Sequence, residues 1–458
     1  MSQQAAAQPK SILRGHLTQV HATTFLRQNQ RLASGDADGF VILWDLTVMR
    51  PRAVWHAHNG AILGISGWGD DKIITEGRDN RLVVWKITVA DEEKLSTDLP
   101  LDESSPERPQ PWILHILEIN TMNFCSFAQC SPRSDTDPAI SDELLVAVPN
   151  TLTTEAIDIF HLPSQNRQST VHLGSKSEKK GMVMAVSLLW RQESLFLLAG
   201  YENGLAVVGR RHDGAWDTLY KHQAHSQPIL SLDFAPSREY FFTSGADAII
   251  AKHPIPDANP TAPPVPLFKR TESSKTGSTY GGLEEDRRQP TNANISILSA
   301  GLASASSSNA EIPQHSPPRR VEDAEASPLK IIDTRHSGQQ GLHIRSDGRI
   351  FVTAGWDSKV RVYSTKTMAE LAVLKWHDVG CYATAFSVID EGKDDAARGK
   401  TNTSDDSNDA RGKEAAAVTP IFKLGQLSVK DRRIKMAKDA HWLVAGSKDG
   451  KISLWDIY

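Results

Sequence analysis

Cysteine is scarce in this 458-residue chain, with only Cys125, Cys130 and Cys381. An odd number cannot pair completely, which excludes a disulfide-stapled scaffold and points to a reducing compartment. No apolar run approaches the ~18–20 residues that cross a bilayer. The amino-terminal MSQQAAAQPK has no apolar core, so neither a span nor a secretory signal is expected. An excess of one charge is missing too. Lys and Arg number 51 against 55 Asp and Glu, a net charge of −4, so no global basic field exists to hold a phosphate backbone. Apolar residues make up 39%, below the usual ~45–50%. Aromatics are 7%, yet eleven of them are Trp. What the chain does have is length. At 458 residues it exceeds the ~250–300 at which one core stops growing, so several domains or a repeat architecture is expected.

Repeats are visible. Arg14-Gly15-His16 precedes an apolar run, and Leu32-Ala33-Ser34-Gly35-Asp36-Ala37-Asp38-Gly39 leads into Phe40-Val41-Ile42-Leu43-Trp44-Asp45. A second copy opens at His56-Ala57-His58 and closes through Thr75-Glu76-Gly77-Arg78-Asp79 to Trp85. Others run from Ile350 through Thr353-Ala354-Gly355-Trp356-Asp357 to Tyr363, and from Trp442 through Ala445-Gly446-Ser447-Lys448-Asp449-Gly450 to Trp455-Asp456. In all four, an Asp stands six residues before the closing aromatic. The pattern resembles the WD40 repeat, each copy being a four-stranded β-propeller blade.

The spacing has a physical reason. Asp38-Gly39 makes a tight turn between strands, with Gly supplying φ > 0. The turn Asp accepts a hydrogen bond from the histidine that opens the blade. His16 lies 22 residues before Asp38, His58 21 before Asp79, His225 22 before Asp247 and His336 21 before Asp357. Ser34, Thr75, Thr243 and Thr353, four residues before each Asp, extend the chain towards Trp44, Trp85 or its equivalent. The resemblance implies a structural Asp-His-Ser/Thr-Trp network, joined in the last repeat by Asp449 and Trp455. A hydrolytic triad would use the same residue types, but a catalytic site occurs once and this set recurs.

Weaker copies fill the middle, and seven blades are expected: residues 15–51, 56–90, 111–163, 171–212, 219–255, 329–366 and 368–458. The third is the most degenerate, with strands expected around Ile119–Cys125, Leu144–Val148 and Ala156–Phe160. The last blade lacks an outer strand unless Ser11–Arg14 pairs beside Ile452–Asp456, which closes the ring and hides an edge. One all-β propeller over residues 11–458 results. Residues 254–328 hold eleven Pro and eleven Ser and read as a disordered insertion between blades 5 and 6. Residues 391–417 contain no Val, Ile, Leu or aromatic and read as a second. Asp91–Gln110, with seven acids against Lys94 and Arg108, reads as a solvated loop or a docking strip for a basic partner.

Chemistry is sparse. Gly399-Lys400-Thr401 resembles the end of a phosphate-binding loop, but Asp394 stands where its first Gly belongs. Cys125 and Cys130 have no second pair at zinc-finger spacing. No catalytic residue, metal or cofactor is expected. A propeller of this kind serves as a platform for protein partners. In the WD40 template the residue before each turn Asp projects from the top face. Those positions hold Ala37, Arg78, Glu202, Ala246, Trp356 and Lys448, of which Arg78, Glu202, Trp356 and Lys448 are candidate partner contacts, Trp356 being the anchor. Trp68, Trp376 and Trp442 read as core. Ser316-Pro317 and Ser327-Pro328 are candidate proline-directed phosphorylation sites.

The opening Leu13-Arg14-Gly15-His16, the blade-2 histidines with Gly77-Arg78-Asp79, and the terminal Ala445–Trp455 stretch look like the fungal ASTRA-associated protein 1 family, which is similar to animal G-protein β-like protein 1. That resemblance implies a nuclear, non-catalytic WD40 scaffold subunit of the ASTRA assembly, linked to chromatin remodelling. It also implies partnership with the co-chaperones that mature phosphatidylinositol-3-kinase-like kinases; neither membrane nor direct nucleic-acid binding is expected. Ala445 replaces the usual Ser/Thr, so the last network should be incomplete. A ubiquitin-ligase substrate receptor usually carries Arg two residues after the WD aspartate, whereas Thr47 and Tyr458 stand there. A G-protein β subunit proper needs a long helical N-terminus, and only ten polar residues precede the first expected strand.

Overall fold

The structure is a computed structural model that describes residues 7–100, 108–122, 124–136, 140–174, 179–257, 326–389 and 428–457. The strands assemble into seven four-stranded antiparallel sheets, the blades of a β-propeller. Blade 1 comprises β2 (Val20–Leu26), β3 (Arg31–Asp36), β4 (Phe40–Asp45) and β5 (Arg50–His56). Blade 2 comprises β6 (Ile62–Trp68), β7 (Lys72–Gly77), β8 (Arg81–Lys86) and β9 (Trp112–Glu118). Blade 3 holds β10 (Ala128–Cys130), β11 (Leu144–Pro149), β12 (Ile157–Leu162) and β13 (Asn166–Val171). Blade 4 holds β14 (Val183–Arg191), β15 (Ser194–Tyr201), β16 (Leu205–His212) and β17 (Ala215–Gln223). Blade 5 has β18 (Ile229–Phe234), β19 (Tyr240–Gly245), β20 (Ile249–Pro254) and β21 (Lys330–Asp333). Blade 6 has β22 (Gln339–Ile344), β23 (Ile350–Gly355), β24 (Val360–Ser364) and β25 (Glu370–Leu374). Blade 7 joins β26 (Cys381–Phe386), β27 (Trp442–Ser447) and β28 (Lys451–Asp456) to β1 (Ser11–Arg14). An 11-residue helix, α1 (Val429–Asp439), precedes β27.

The ring closes as the sequence implies. Ser11, Ile12, Leu13 and Arg14 lie opposite Leu454, Ser453, Ile452 and Lys451, and the Lys10 N–H extends the ladder to the Leu454 carbonyl at 2.8 Å. Second and third strands read as almost continuous apolar runs because both of their faces are covered by neighbouring blades. The buried apolar residues fall into clusters, each shared by two adjacent blades. Phe242 of blade 5, for example, stacks on Phe351 of blade 6 at 4.3 Å, and Leu13, Trp442 and Val444 of blade 7 pack with Val20, Ile42 and Trp44 of blade 1. No blade buries its faces alone, so the folding unit is the ring. The turn glycines fit the same joints. Gly39 has φ +86°, and a Cβ there would lie 1.9 Å from the His58 carbonyl oxygen of the next blade.

Blade borders differ from the sequence expectation in a consistent way: the outer strand was cut off. Trp112–Glu118, assigned above to blade 3, is the fourth strand of blade 2, and Asn166–Val171 and Ala215–Gln223 complete blades 3 and 4. Lys330–Asp333 completes blade 5, so the 254–328 segment interrupts blade 5 instead of separating it from blade 6. The physical reason is exposure. An outer strand pairs on one edge only and keeps much of its surface wet, so it carries no signature residue, and the exposed apolar run of Trp112–Glu118 does not mark the blade it belongs to. Blade 3 departs further, because the described residues of Ile119–Cys125 form no strand and the first strand is the short Ala128–Cys130. Most of 254–328 and all of 391–417 lie outside the described residues, as does Ser316; Ser327 is exposed.

Asp91–Gln110 is neither a solvated loop nor a free strip at its start. Its Glu92 is buried beneath blade 1, where Arg31 Nη2 donates to Oε2 at 3.0 Å and Arg52 Nε at 3.1 Å. Arg27 also pairs with Oε1. The Val54 N–H of β5 donates to the Ser96 carbonyl at 2.8 Å, so this segment straps the outer edge of blade 1. One carboxylate among several guanidiniums is a tolerable buried charge because each oxygen is hydrogen-bonded.

Candidate functional site

The recurring polar networks come first, because they fix the top-face turns. In blade 2 the network forms as expected. The Asp79 carboxylate only accepts, so His58 Nδ1–H donates to Oδ1 at 2.9 Å. His58 Nε2 then accepts from the Thr75 hydroxyl at 2.7 Å, and that oxygen accepts from Trp85 Nε1–H at 2.8 Å. Burial alone would raise the Asp79 carboxyl, but the bonds from His58 and the Asn59 N–H hold it below its usual range. Blade 5 repeats the arrangement through His225, Asp247 and Thr243. There His253 replaces Trp, bonding Thr243 at 2.9 Å and the Tyr220 hydroxyl at 2.8 Å.

Three blades depart from the sequence reading. In blade 1 the partner of His16 is Asp36 and not Asp38: Nδ1 meets Asp36 Oδ2 at 2.7 Å, while Asp38 is exposed. The acid six residues before Trp44 is therefore not the one the histidine meets. Asp36 occupies the position held by Gly77 and Gly245, where an added Cβ would lie 2.3 Å from the His58 ring and 3.0 Å from the His225 ring. A side chain there heads straight at the histidine, and in blade 1 it is the acid. Ser34 and Trp44 take their expected places, at 2.7 and 2.8 Å.

In blade 6 the expected network does not assemble. Arg361 grips Asp357 in a fork, at 3.0 and 2.5 Å, while His336 stays 3.7 Å away and 43% exposed. A buried guanidinium presents two N–H donors to one carboxylate and outcompetes the single donor of an imidazole, so Thr353 is not bridged to a histidine. In blade 7 Asp449 pairs with Lys451 at 2.5 Å and with the Ser447 hydroxyl. The hydroxyl missing at Ala445 is supplied by Ser453, directly across the ladder. Its Oγ meets His377 Nε2 at 2.8 Å and accepts from Trp455 Nε1 at 2.9 Å. Burial lowers His377 to about 4, so it is neutral at physiological pH.

These networks set the top face. The backbone N–H groups of Ala37, Arg78, Glu202, Ala246, Trp356 and Lys448 each donate at about 2.9 Å to the residue that precedes the first strand of their own blade. The six positions are therefore equivalent. Arg78, Glu202, Trp356 and Lys448 are all exposed. Trp356 is 47% exposed; its ring lies on Gly338, and its Nε1–H donates to Gln340 Oε1 at 2.9 Å. Trp68 and Trp442 are buried, and Trp376 packs partly buried against the blade 6–7 cluster.

The sequence reading missed Met122 and Phe124, which are 72% and 51% exposed. The Arg78 guanidinium lies 4.7 Å over the Phe124 ring. Their apolar context suggested a strand; their position before β10 makes them part of the top face. Phe124, Gln340 and Tyr382 also line the mouth of the axial channel, whose two portions enclose about 240 and 490 Å³. All three cysteines are buried, and burial pushes the Cys130 and Cys381 thiols up to about 12. Among the described residues, no group of three or more His, Cys, Asp and Glu is placed to hold a metal ion.

A sequence profile of the ASTRA-associated protein 1 family matches residues 9–455. The chain belongs to that family. It is similar to the ASTRA-associated protein 1 of Pyricularia oryzae, 49% identical over 488 aligned residues that cover 99% of this chain and 97% of the relative. The Verticillium alfalfae relative is 48% identical, with 98% and 93% covered. The Schizosaccharomyces pombe relative is 30% identical over 82% of this chain and 93% of its own. The family match runs through all seven blades, weak blade 3 included, and begins ahead of β1, so the strand that closes the ring is part of the shared sequence.

Proposed function

We propose that this protein is a non-catalytic scaffold subunit of the ASTRA complex that presents the top face of its propeller to protein partners. Family membership supports the assembly. The observation that carries the surface is Trp356, a half-exposed aromatic held in one orientation by Gln340; an ordered aromatic at a rim suits an interface anchor. The His-Asp-Ser/Thr networks of the blades read as structural, since the same residue types recur in blades 1, 2 and 5. On this reading the protein is nuclear, contributes to chromatin remodelling, and acts with the co-chaperones that mature phosphatidylinositol-3-kinase-like kinases.

The test is affinity purification of the tagged protein from its native cell, with quantitative mass spectrometry, in wild type and W356A. Wild type is expected to recover the kinases and their co-chaperones. In W356A at least one partner is expected to fall by roughly tenfold or more, the scale of a lost interface anchor. Recovery of ubiquitin-ligase adaptors in place of the kinase group overturns the assembly; undiminished recovery of every partner in W356A overturns the surface.

A further inference from the structure

The helix α1 stands outside the four-stranded plan of the blades. It lies between the first and second strands of blade 7, at the end of the ring opposite Trp356 and Lys448, because consecutive strands run antiparallel. It is well specified locally: Ser428 caps it, its hydroxyl accepting from the Asp431 N–H at 3.1 Å. Its inner face is pinned. Ala437 is 2% exposed, and the Ala437 carbonyl accepts from Trp442 Nε1–H at 3.2 Å. Lys438 reaches Gln28 Oε1 at 2.7 Å, and its carbonyl accepts from Asn29 Nδ2 at 3.3 Å.

The outer face is different. Lys430, Arg432, Arg433 and Lys435 are exposed and make no ion pair or hydrogen bond through their side chains among the described residues. Lys430 sits in the first turn, where the helix dipole disfavours a cation, so it is not placed for the helix's own stability. Val429 and Met436 are 57% and 66% exposed. With Arg432 and Arg433 between them they occupy positions i, i+3, i+4 and i+7, which is one stripe of a helix. Two apolar residues bracketing two guanidiniums match a surface that offers carboxylates and apolar side chains at the same spacing.

We propose that the outer stripe of α1 docks an acidic amphipathic helix of a partner protein. Charge complementarity and the helical spacing of Val429, Arg432, Arg433 and Met436 commit the site to that occupant. A nucleic acid fits less well: α1 carries no aromatic to stack on a base, and phosphates leave Val429 and Met436 without a partner.

Fluorescence anisotropy of the full chain tests this. The probes are a labelled 16-residue peptide with Leu at i, i+3, i+4 and i+7 among Glu residues, poly-glutamate of equal charge, and a 20-base-pair duplex. The amphipathic peptide should bind at least tenfold more tightly than poly-glutamate and the duplex. Raising salt from 50 to 300 mM should weaken it to a plateau and not to zero, because the apolar contacts are unscreened. R432E/R433E should lose at least tenfold, and V429S/M436S at least threefold at 300 mM salt, both melting as wild type does. Since all four residues are exposed, folding is not at stake, and the salt titration of the unmodified protein stands without the variants. Peptide affinity unchanged in either variant, tighter binding of the duplex, or equal binding of poly-glutamate overturns the proposal.

Discussion

Removal of the first strand should destabilise every blade, although residues 2–14 resemble a dispensable tail. Leu13 is 2% exposed and belongs to the cluster that joins blade 7 to blade 1. Leu13→Ala should cost ~3 kcal/mol, within the ~2–5 of buried Leu truncations. Deleting residues 2–14 also removes the four-residue ladder to β28, at about 0.5–1.5 kcal/mol per hydrogen bond, for a total near ~6 kcal/mol. An ordered body of this size has an unfolding entropy on the order of 0.7 kcal/mol/K. Those costs correspond to falls in Tm of ~4 °C for Leu13→Ala and ~8 °C for the deletion. Arg14, exposed on the same strand, is the control; Arg14→Ala should shift Tm by less than ~1 °C. Calorimetry reads the melt, and hydrogen exchange should show β28 losing protection in the deletion, since its outer edge would then face water. A deletion that melts within 1 °C of wild type, or a Leu13→Ala no worse than Arg14→Ala, would refute the closure argument.

Two further outcomes follow from buried carboxyl groups. Asp36→Ala should destabilise by ~2–4 kcal/mol by depriving the buried His16 of its acceptor, whereas Asp38→Ala should be neutral within ~0.5 kcal/mol; equal effects in chemical denaturation would contradict the assignment. Glu76 is fully buried, accepting from the Phe127 N–H at 2.7 Å, and burial raises it to about 8. Its folded form therefore binds a proton that the unfolded chain releases above ~4.5, so stability should fall as pH rises from ~4.5 to ~8, by on the order of 4 kcal/mol. Glu76→Gln keeps the acceptor without titrating and should remove that decline; parallel pH profiles for the two proteins would exclude it.

Much of the fold is legible because each copy of the repeat carries its signature where the chain is most constrained. A buried turn tolerates few residues, so His58, Thr75, Asp79 and Trp85 stand out by type and interval, and the ring follows from their recurrence. The outer strands were not legible, since half-exposed positions accept many residues. Position counting placed Trp356 and Arg78 on the top face, where the structure has them exposed, but Phe124 lies in an irregular loop with no spacing to mark it.

By itself the sequence determined the all-β class, the number of blades, the strand that closes the ring and the equivalence of the top-face positions. These depend on local turn chemistry and on periodic burial, which are written in short intervals. Only the tertiary structure decided which groups meet. It chose Asp36 over Asp38, gave Asp357 to Arg361, and replaced the hydroxyl absent at Ala445 with Ser453 from the neighbouring strand. It also placed Glu92 among three arginines of blade 1. Hydrogen-bond partners are settled by distance and competition across strands, and several side chains of the right type lie within reach of the same histidine or carboxylate. Spacing along the chain names the candidates, and packing selects among them.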